Sequence, residues 1–143
     1  MIEFQVDTGN AKRLLDAIGK LPKGLKAEVA NAVRRSAQDV ARDSRALIRS
    51  KAAGRRKAGG SRAGEPPVGR SGDLARSIKT VRARRDGLAY RVLSSYVGRF
   101  LEVGTSRGLQ PRPFITRALA ARSEQTYSEI VSAIERTLDR VSA

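Results

Sequence analysis

Residues 22–50, PKGLKAEVANAVRRSAQDVARDSRALIRS, carry the clearest helical pattern in the chain. Apolar residues recur there every three or four positions, and this spacing predicts one long α-helix with a single buried stripe. Pro22 suits the first turn, because the first N–H groups of a helix have no partner within it. At 1.5 Å per residue the helix would be roughly 40 Å long, which is long for so small a domain. The predicted stripe is Leu25, Val29, Val33, Ala37, Val40, Ser44 and Leu47.

A second long amphipathic helix is predicted from Pro113 to about Val141. Its arginines are balanced by acidic residues, which is typical of an ordinary solvated helix face. The basic character of the chain therefore belongs to the first helix, the loop that follows it and the hairpin. The predicted buried stripe of this second helix is Phe114, Ala118, Ala121, Ile130, Ile134, Leu138 and Val141.

Between the two helices the pattern changes to the two-residue period of β-strands. Strands are predicted over residues 79–84 and 88–93, and Asp86-Gly87 between them is a strong hairpin signal. Residues 96–103 are typical of a short helix or of one helical turn, which Gly104 would end.

The N-terminus adds two short elements to this prediction. Residues 2–6, IEFQV, alternate apolar and polar side chains as a half-buried strand does, and a short helix carrying Leu14, Leu15 and Ile18 follows. The fold class is therefore α+β, with two long amphipathic helices packed on a small antiparallel sheet that contains the hairpin. We expect a single domain over residues 1–143, whose sheet edges invite pairing with a neighbour.

Residues 51–73, KAAGRRKAGGSRAGEPPVGRSGD, interrupt the pattern. Glycine, proline and basic residues dominate, and Val68 is the one large apolar residue, so a long flexible basic loop without a contribution to the core is predicted. The loop is either a solvated disordered segment or one that orders on assembly, against an acidic neighbour or DNA. Its candidate contact residues are Arg55, Arg56, Lys57, Arg62 and Arg70.

The chain contains neither cysteine nor histidine. Thiolate chemistry is thereby excluded, and the commonest general base and metal ligand is missing. The acidic residues are scattered, so we expect no enzyme activity, no metal and no cofactor. The sequence contains no apolar run of membrane-spanning length and its N-terminus lacks signal-peptide features, so we expect no membrane partner and a chain made and kept in a cytoplasm.

The net charge of +15, from 29 basic and 14 acidic residues, predicts attraction to a polyanionic partner. Arginine outnumbers lysine, which suits phosphate and carboxylate contacts but equally reflects a GC-rich genome. No recognition helix, zinc pattern or set of stacking aromatics indicates sequence-specific DNA binding.

Three motifs follow the first helix in a fixed order. The first is GRSGDLARSI at residues 69–78, the second is YVGRFLEVGT at residues 96–105, and the third is PRPFI at residues 111–115. Together they resemble the tail-completion family of lambdoid and related siphophages, over most of the chain. The chain departs from that family in having Ser71 where threonine is usual, and in a longer basic loop. The turn-motif residues are Ser71, Gly72, Leu74, Ser77 and Ile78; those of the other two motifs are Phe100, Glu102, Gly104, Thr105, Pro111, Arg112, Pro113 and Phe114.

The resemblance implies a structural virion protein of the phage neck, made in the bacterial host cytoplasm. Such a protein joins the head connector or stopper to the tail terminator or tail tube, and it assembles with its own copies into a cyclic ring. The family's tail context implies a hexamer, with the basic loop near genomic DNA in the channel. The alternative is a small basic protein that binds nucleic acid without specificity; a nuclease would need a carboxylate cluster that the sequence does not indicate.

Several motif residues also have purely structural interpretations. Phe100 and Phe114 are expected to anchor the core, and Gly72 and Gly104 to supply backbone angles that other residues avoid. Glu102 lies among apolar residues, and a buried carboxylate needs a partner. We therefore predict that Glu102 contacts either Arg112 or a backbone group and holds the loop between them in place.

Overall fold

The computed structural model describes residues 20–52, 63–68 and 72–142. Helix α1 spans Lys23–Ala52, helix α2 spans Asp73–Ser77, strand β1 spans Lys79–Arg82 and strand β2 spans Tyr90–Leu93. Helix α3 then spans Tyr96–Val103, and helix α4 spans Ile115–Ser142. The α+β class is confirmed at this level: two long helices accompany a two-stranded antiparallel sheet. The predicted N-terminal strand and helix lie outside the described residues.

The hairpin forms where the two-residue period predicted it, although both strands are shorter than expected. Lys79 pairs with Leu93 and Arg82 pairs with Tyr90, and the N–H of Ala83 donates to the carbonyl of Ala89 at 2.9 Å. The intervening residues turn the chain because Asp86 accepts the N–H of Leu88 at 3.1 Å and Gly87 takes a φ of 74°. The turn therefore includes residues that the alternation of apolar and polar side chains alone had assigned to the two strands.

The core has two clusters, and α1 contributes to both. One cluster joins Leu25 and Val29 of α1 to Leu88 at the end of the hairpin turn, with Leu21, Ile130 and Ile134 packed around it. The other lies towards the far end of α1, between that helix, α2 and the start of α4. Its buried members are Ala41, Ile48, Ala75, Ile78, Phe114 and Ile115.

Both predicted helix stripes need correction. In α1 the residues Ala32, Ser36 and Ile48 are buried, whereas the predicted Val33, Ala37 and Leu47 are only half-buried. The reason is that α4 and the hairpin both pack on α1, so its covered face is wider than one line of residues.

The stripe predicted for α4 is wrong near the end of the helix and at Ala121. Ala121 is exposed and Leu138 is 51% exposed, whereas Ala133 and Thr137 are buried. The side that faces α1 is set by how the two helices cross, and that crossing turns Leu138 outward. The side chain of Val141 lies outside the described residues.

The basic loop is described only in part. Residues 63–68 are described, and Pro66 and Pro67 are buried, so the prediction that residues 51–73 contribute nothing to the core is wrong for this segment. Helix α1 also continues to Ala52, two residues into the predicted loop. None of the helices within the described ranges is both long and apolar enough to cross a membrane.

Candidate functional site

Glu102 belongs to the second motif, contacts the third motif and is 5% exposed. Its Oε2 accepts the backbone N–H groups of Phe114 at 2.9 Å and Ile115 at 3.1 Å, and its Oε1 accepts that of Thr116 at 2.7 Å. These N–H groups belong to the first turn of α4, where no partner exists within the helix. A carboxylate there also meets the positive end of the helix dipole. Glu102 is therefore the N-terminal cap of α4, supplied by a different helix.

Glu102 is positioned by the two ends of α3, which are set by Ser95 and Gly104. The Ser95 hydroxyl accepts the N–H of Gly98 at 3.4 Å and caps the first turn of α3. At the other end the N–H of Gly104 donates to the carbonyl of Phe100 at 2.8 Å, and Gly104 has φ 76° and ψ −173°. Such angles are nearly restricted to glycine. The chain turns away directly after Glu102, towards the loop that leads to α4.

The loop between α3 and α4 is held by its own hydrogen bonds. Thr105 donates its N–H to the carbonyl of Leu109 at 2.9 Å, and its hydroxyl accepts the N–H of Leu109 at 3.3 Å. A Cβ on Gly104 would lie 2.5 Å from that same carbonyl oxygen of Leu109. The loop therefore passes close to its own beginning, and only glycine fits at position 104.

Arg112 contacts α3 through its backbone N–H group. Its N–H donates to the carbonyl of Leu101 at 2.6 Å, and within the described residues no ion pair joins its side chain to Glu102. Of the two contacts predicted for Glu102, the structure therefore contains the one with the backbone. The Nε of Arg112 is buried without a hydrogen-bond partner in the described part of the chain, which is costly for a polar group.

Residues 63–68 of the basic loop pack onto the third motif. The N–H of Gly64 donates to the carbonyl of Pro111 at 2.9 Å, and the guanidinium of Arg117 donates to the carbonyl of Gly64 at 3.1 Å. Pro66, nearby in sequence, is one of the largest fully buried side chains. The sequence offered no signal for this contact beyond the two adjacent prolines, which make a short segment stiff.

The first motif contacts the second. Ser77 accepts the N–H of Ser95 at 3.0 Å on its hydroxyl, which itself donates to the carbonyl of Leu74 at 2.7 Å. A Cβ on Gly98 would lie 3.0 Å from Leu74 and closer still to Ser94, so α3 needs glycine at this position. Ile78 is 1% exposed, in the core. Gly72 has φ 78°, as expected for a turn, and Ser71 lies outside the described residues.

The two phenylalanines of the motifs, Phe114 and Phe100, differ in burial. Phe114 is 0% exposed and anchors the core, as predicted. Phe100 is only half-buried, and its ring meets Tyr96 edge to face at a centroid distance of 4.6 Å. The surface of α3 beside it is apolar: Tyr96, Val97 and Val103 are 70%, 60% and 51% exposed. Sequence periodicity did not indicate this exposed apolar surface, because α3 is too short for a reliable period.

An ion-pair cluster joins α1 to α4. The Arg122 guanidinium donates from Nε to Asp43 at 2.5 Å and lies 3.5 Å from Asp39. The hydrogen bond from Arg122 is the main reason that the pKa of Asp43 is lowered, and the charges of Arg122 and Arg42 add to it. The pKa of Arg122 is raised by the same bond. The sequence gives no signal for this pair, because nothing local links positions so far apart in the chain.

A basic cleft of about 620 Å³ lies between α1 and α2. It is lined by Arg42 and Arg45 of α1 and Arg76 of α2, with Ala46 and Ala75. Arg42 lies 2.9 Å from Asp39, Arg76 pairs with Asp73, and Arg45 donates to the carbonyl of Ile78. The predicted loop residues Arg55, Arg56, Lys57, Arg62 and Arg70 lie outside the described residues.

Within residues 20–52, 63–68 and 72–142, no three acidic side chains come close enough together to hold a metal ion. The three motifs meet around α3, with Ser77 at its start, Glu102 near its end and Arg112 beside it.

Compared with known protein families, curated proteins and solved structures, the chain gives no match.

Proposed function

We propose that this protein is a structural component of a phage virion, joining the head connector to the tail tube in the neck of a long-tailed phage by ring assembly. One observation carries the proposal: the motifs on which the family resemblance rests contact one another. Ser77 of the first motif holds the start of α3, and Glu102 of the second holds the start of α4 in the third. A shared scaffold of this kind explains why these residue types occur in this order.

The exposed apolar surface of α3, formed by Tyr96, Val97 and Val103, supports an assembly role. These side chains lie on the second motif itself, and grouped apolar residues at a surface are typical of an interaction site. In a cyclic ring each copy presents the same surfaces to its neighbours. A neighbour that covered α3 would remove this apolar area from water, and we propose α3 as part of that contact.

The proposed partners follow from the same role. They are identical copies in a hexameric ring, the connector or stopper protein on the head side, and the terminator or tube protein on the tail side. The net charge of +15 suits contact with acidic neighbours or with the phosphates of DNA passing through the channel. The proposed action is mechanical, so no catalytic residue and no cofactor belong to it.

The second candidate function is that of a free protein that binds nucleic acid without specificity. The basic cleft lined by Arg42, Arg45 and Arg76 favours it, because arginine donates to phosphate through a planar fork. Against it, each of these arginines already contacts an aspartate or a carbonyl within the chain. A phosphate would have to displace or share those contacts.

The deciding experiment removes the gene for this chain from its phage and examines the particles by cryo-electron microscopy. Under the proposal, DNA-filled heads and finished tails accumulate separately, and adding the purified protein joins them. Density for the chain then appears as a closed ring at the neck of complete particles. Normal particles without the protein would contradict the proposal.

Salt dependence separates the two functions. A free DNA binder loses affinity steeply as salt rises, with a slope of about −0.9 in log affinity against log salt for each phosphate contacted. A neck ring held by apolar contacts survives the same titration. We expect assembled complexes to persist at salt concentrations at which binding to random duplex DNA is lost.

A further inference from the structure

The hairpin carries a surplus of positive charge. Residues 79–93 contain five basic residues and one acidic residue, a net charge of +4. The acidic residue, Asp86, is engaged in the turn, where its carboxylate accepts the N–H of Leu88 at 3.1 Å and a guanidinium N–H of Arg84 at 3.0 Å. One carboxylate that already has these partners does not neutralise the remaining cations of the hairpin.

Three of these cations lie in a row along β1 and the turn, and we call them the basic row. Lys79 begins β1, Arg82 ends it and Arg85 follows in the turn, and all three are exposed. Among the described residues no ion pair joins them to a carboxylate. At about 3.3 Å per residue the row is at most roughly 20 Å long. Charges spread over such a length suit a polymer of anionic groups, whereas a single small anion needs donors that converge on one point.

The residues outside the described ranges do not cancel this surplus. Their acidic residues are Glu3, Asp7 and Asp16, against the basic Lys12, Arg13, Arg55, Arg56, Lys57, Arg62 and Arg70. These residues therefore add positive charge to the molecule, and the net charge of the whole chain is +15 whatever contacts they make. The argument for a polyanionic ligand rests on this excess.

The acidic residues of α1 are engaged with α4. Arg122 of α4 lies near Asp39 and Asp43, and Arg140 lies 3.6 Å from Glu28. Helix α4 itself carries four arginines and four acidic residues. The surplus of positive charge therefore belongs to the hairpin and not to α4, and a polyanion would be attracted to the hairpin first.

Helix α1 supports the hairpin at both ends. At the base, the Arg45 guanidinium donates to the carbonyl of Ile78, the residue before β1. At the turn, Leu88 packs against Leu25 and Val29. The basic row is therefore presented on a supported hairpin, so less conformational freedom is lost when a ligand binds.

We propose that the basic row, Lys79, Arg82 and Arg85, binds the phosphate backbone of duplex DNA without reading its sequence. Duplex DNA carries about one negative charge per 1.7 Å of its axis, so the row would meet several phosphates. Single strands are bound by stacking on aromatic side chains, and the one aromatic residue of the hairpin, Tyr90, is half-buried. The inference rests on the proposed function where that function includes contact with DNA, and it assigns the contact to a surface.

DNA affinity measured against salt concentration tests the proposal. Fluorescence anisotropy of a labelled random-sequence duplex reports binding by the purified full chain. Arg82→Gln combined with Arg85→Gln should reduce the magnitude of the slope of log affinity against log salt by about 1.8, because each phosphate contact contributes about 0.9. The affinity at low salt should fall with it.

Arg107→Gln combined with Arg136→Gln is the matched control, since both residues are exposed and lie outside the hairpin. It removes the same charge and should leave the slope nearly unchanged. Arg82→Lys combined with Arg85→Lys keeps the charge and should keep the slope, which separates lost phosphate contacts from a disturbed hairpin. Circular dichroism checks the fold of every variant.

Equal losses from the hairpin pair and the control pair would overturn the proposal, because the charge of the whole molecule would then attract the DNA. A loss confined to Arg76→Gln, which removes a cation from the cleft between α1 and α2, would overturn it in favour of that cleft. Binding to polyglutamate without binding to DNA would overturn it in favour of an acidic protein. The gene-deletion experiment tests the neck role without measuring DNA affinity, so either proposal can fail while the other stands.

Discussion

The carboxylate of Glu102, near the end of α3, accepts the N–H of Thr116 at 2.7 Å in the first turn of α4. With the bonds to Phe114 and Ile115, one buried side chain satisfies three backbone donors on another helix. The position of α4 relative to α3 therefore depends on a single carboxylate. Its removal should therefore be costly to the stability of the fold.

Glu102→Gln should lower the free energy of unfolding by about 2 kcal/mol, because bonds to a charged acceptor are worth about 1.5–3 kcal/mol and the amide brings an N–H group towards three N–H donors. Urea denaturation of the purified protein measures the change. Glu124→Gln is the control, since Glu124 is exposed on α4, the helix that Glu102 caps. Equal stability of the two variants would mean that Glu102 does not hold α4.

Gly104→Ala should destabilise the protein more than Gly108→Ala. Both glycines have positive φ, at 76° and 100°, so both substitutions strain the backbone, at a cost of about 1–3 kcal/mol each. Only at position 104 would the new Cβ meet an atom, the carbonyl oxygen of Leu109 at 2.5 Å, whereas nothing lies within 4 Å at position 108. Thermal unfolding of the two variants measures the difference, and similar melting temperatures would refute the close approach.

The pair of Asp43 and Arg122 should make stability depend on pH on the acidic side. Because the pKa of Asp43 is lower in the folded protein than in the unfolded chain, its contribution is fully present above the ordinary aspartate pKa, near 4. The contribution is lost as pH falls through the lowered value. We expect Asp43→Asn to be less stable than the original protein at pH 6, and the difference to shrink below pH 4.

The matching control for that pH experiment is Asp139→Asn, an exposed change on α4. Unfolding free energies from urea titrations at pH 6, 4 and 3 give the comparison. A difference between Asp43→Asn and the original protein that stayed constant over this range would show that the ion pair does not cause it.

Val97→Asp should prevent assembly of the proposed ring without unfolding the subunit. Val97 is 60% exposed, and a carboxylate in the first turn of α3 is compatible with the helix dipole. Light scattering coupled to size-exclusion chromatography measures the assembly, and circular dichroism checks the fold. Leu138→Asp is the control, because it introduces the same charge outside α3, at a side chain that is 51% exposed on α4. Assembly that survived Val97→Asp would exclude α3 from the subunit contact.

Much of the local structure was predictable because it depends on neighbours in the chain. The period of α1 and the alternation around Asp86-Gly87 indicated a long helix and a hairpin, and both are present. Burial of Glu102 followed from its apolar surroundings. Which group would satisfy its carboxylate did not follow, because Arg112 and the start of α4 both come near Glu102 once the loop folds back.

Contacts between residues a few positions apart set the elements, which were therefore predictable from the chain: two amphipathic helices, a short helix ended by Gly104 and a hairpin at Gly87. Which sides of these elements are covered depends instead on how they pack together, and this packing leaves Leu138 exposed and Pro66 buried. The same packing brings Arg122 to Asp43 and Ser77 to Ser95. Such contacts depend on how segments distant in the chain cross in space, and side-chain periodicity carries no information about that crossing.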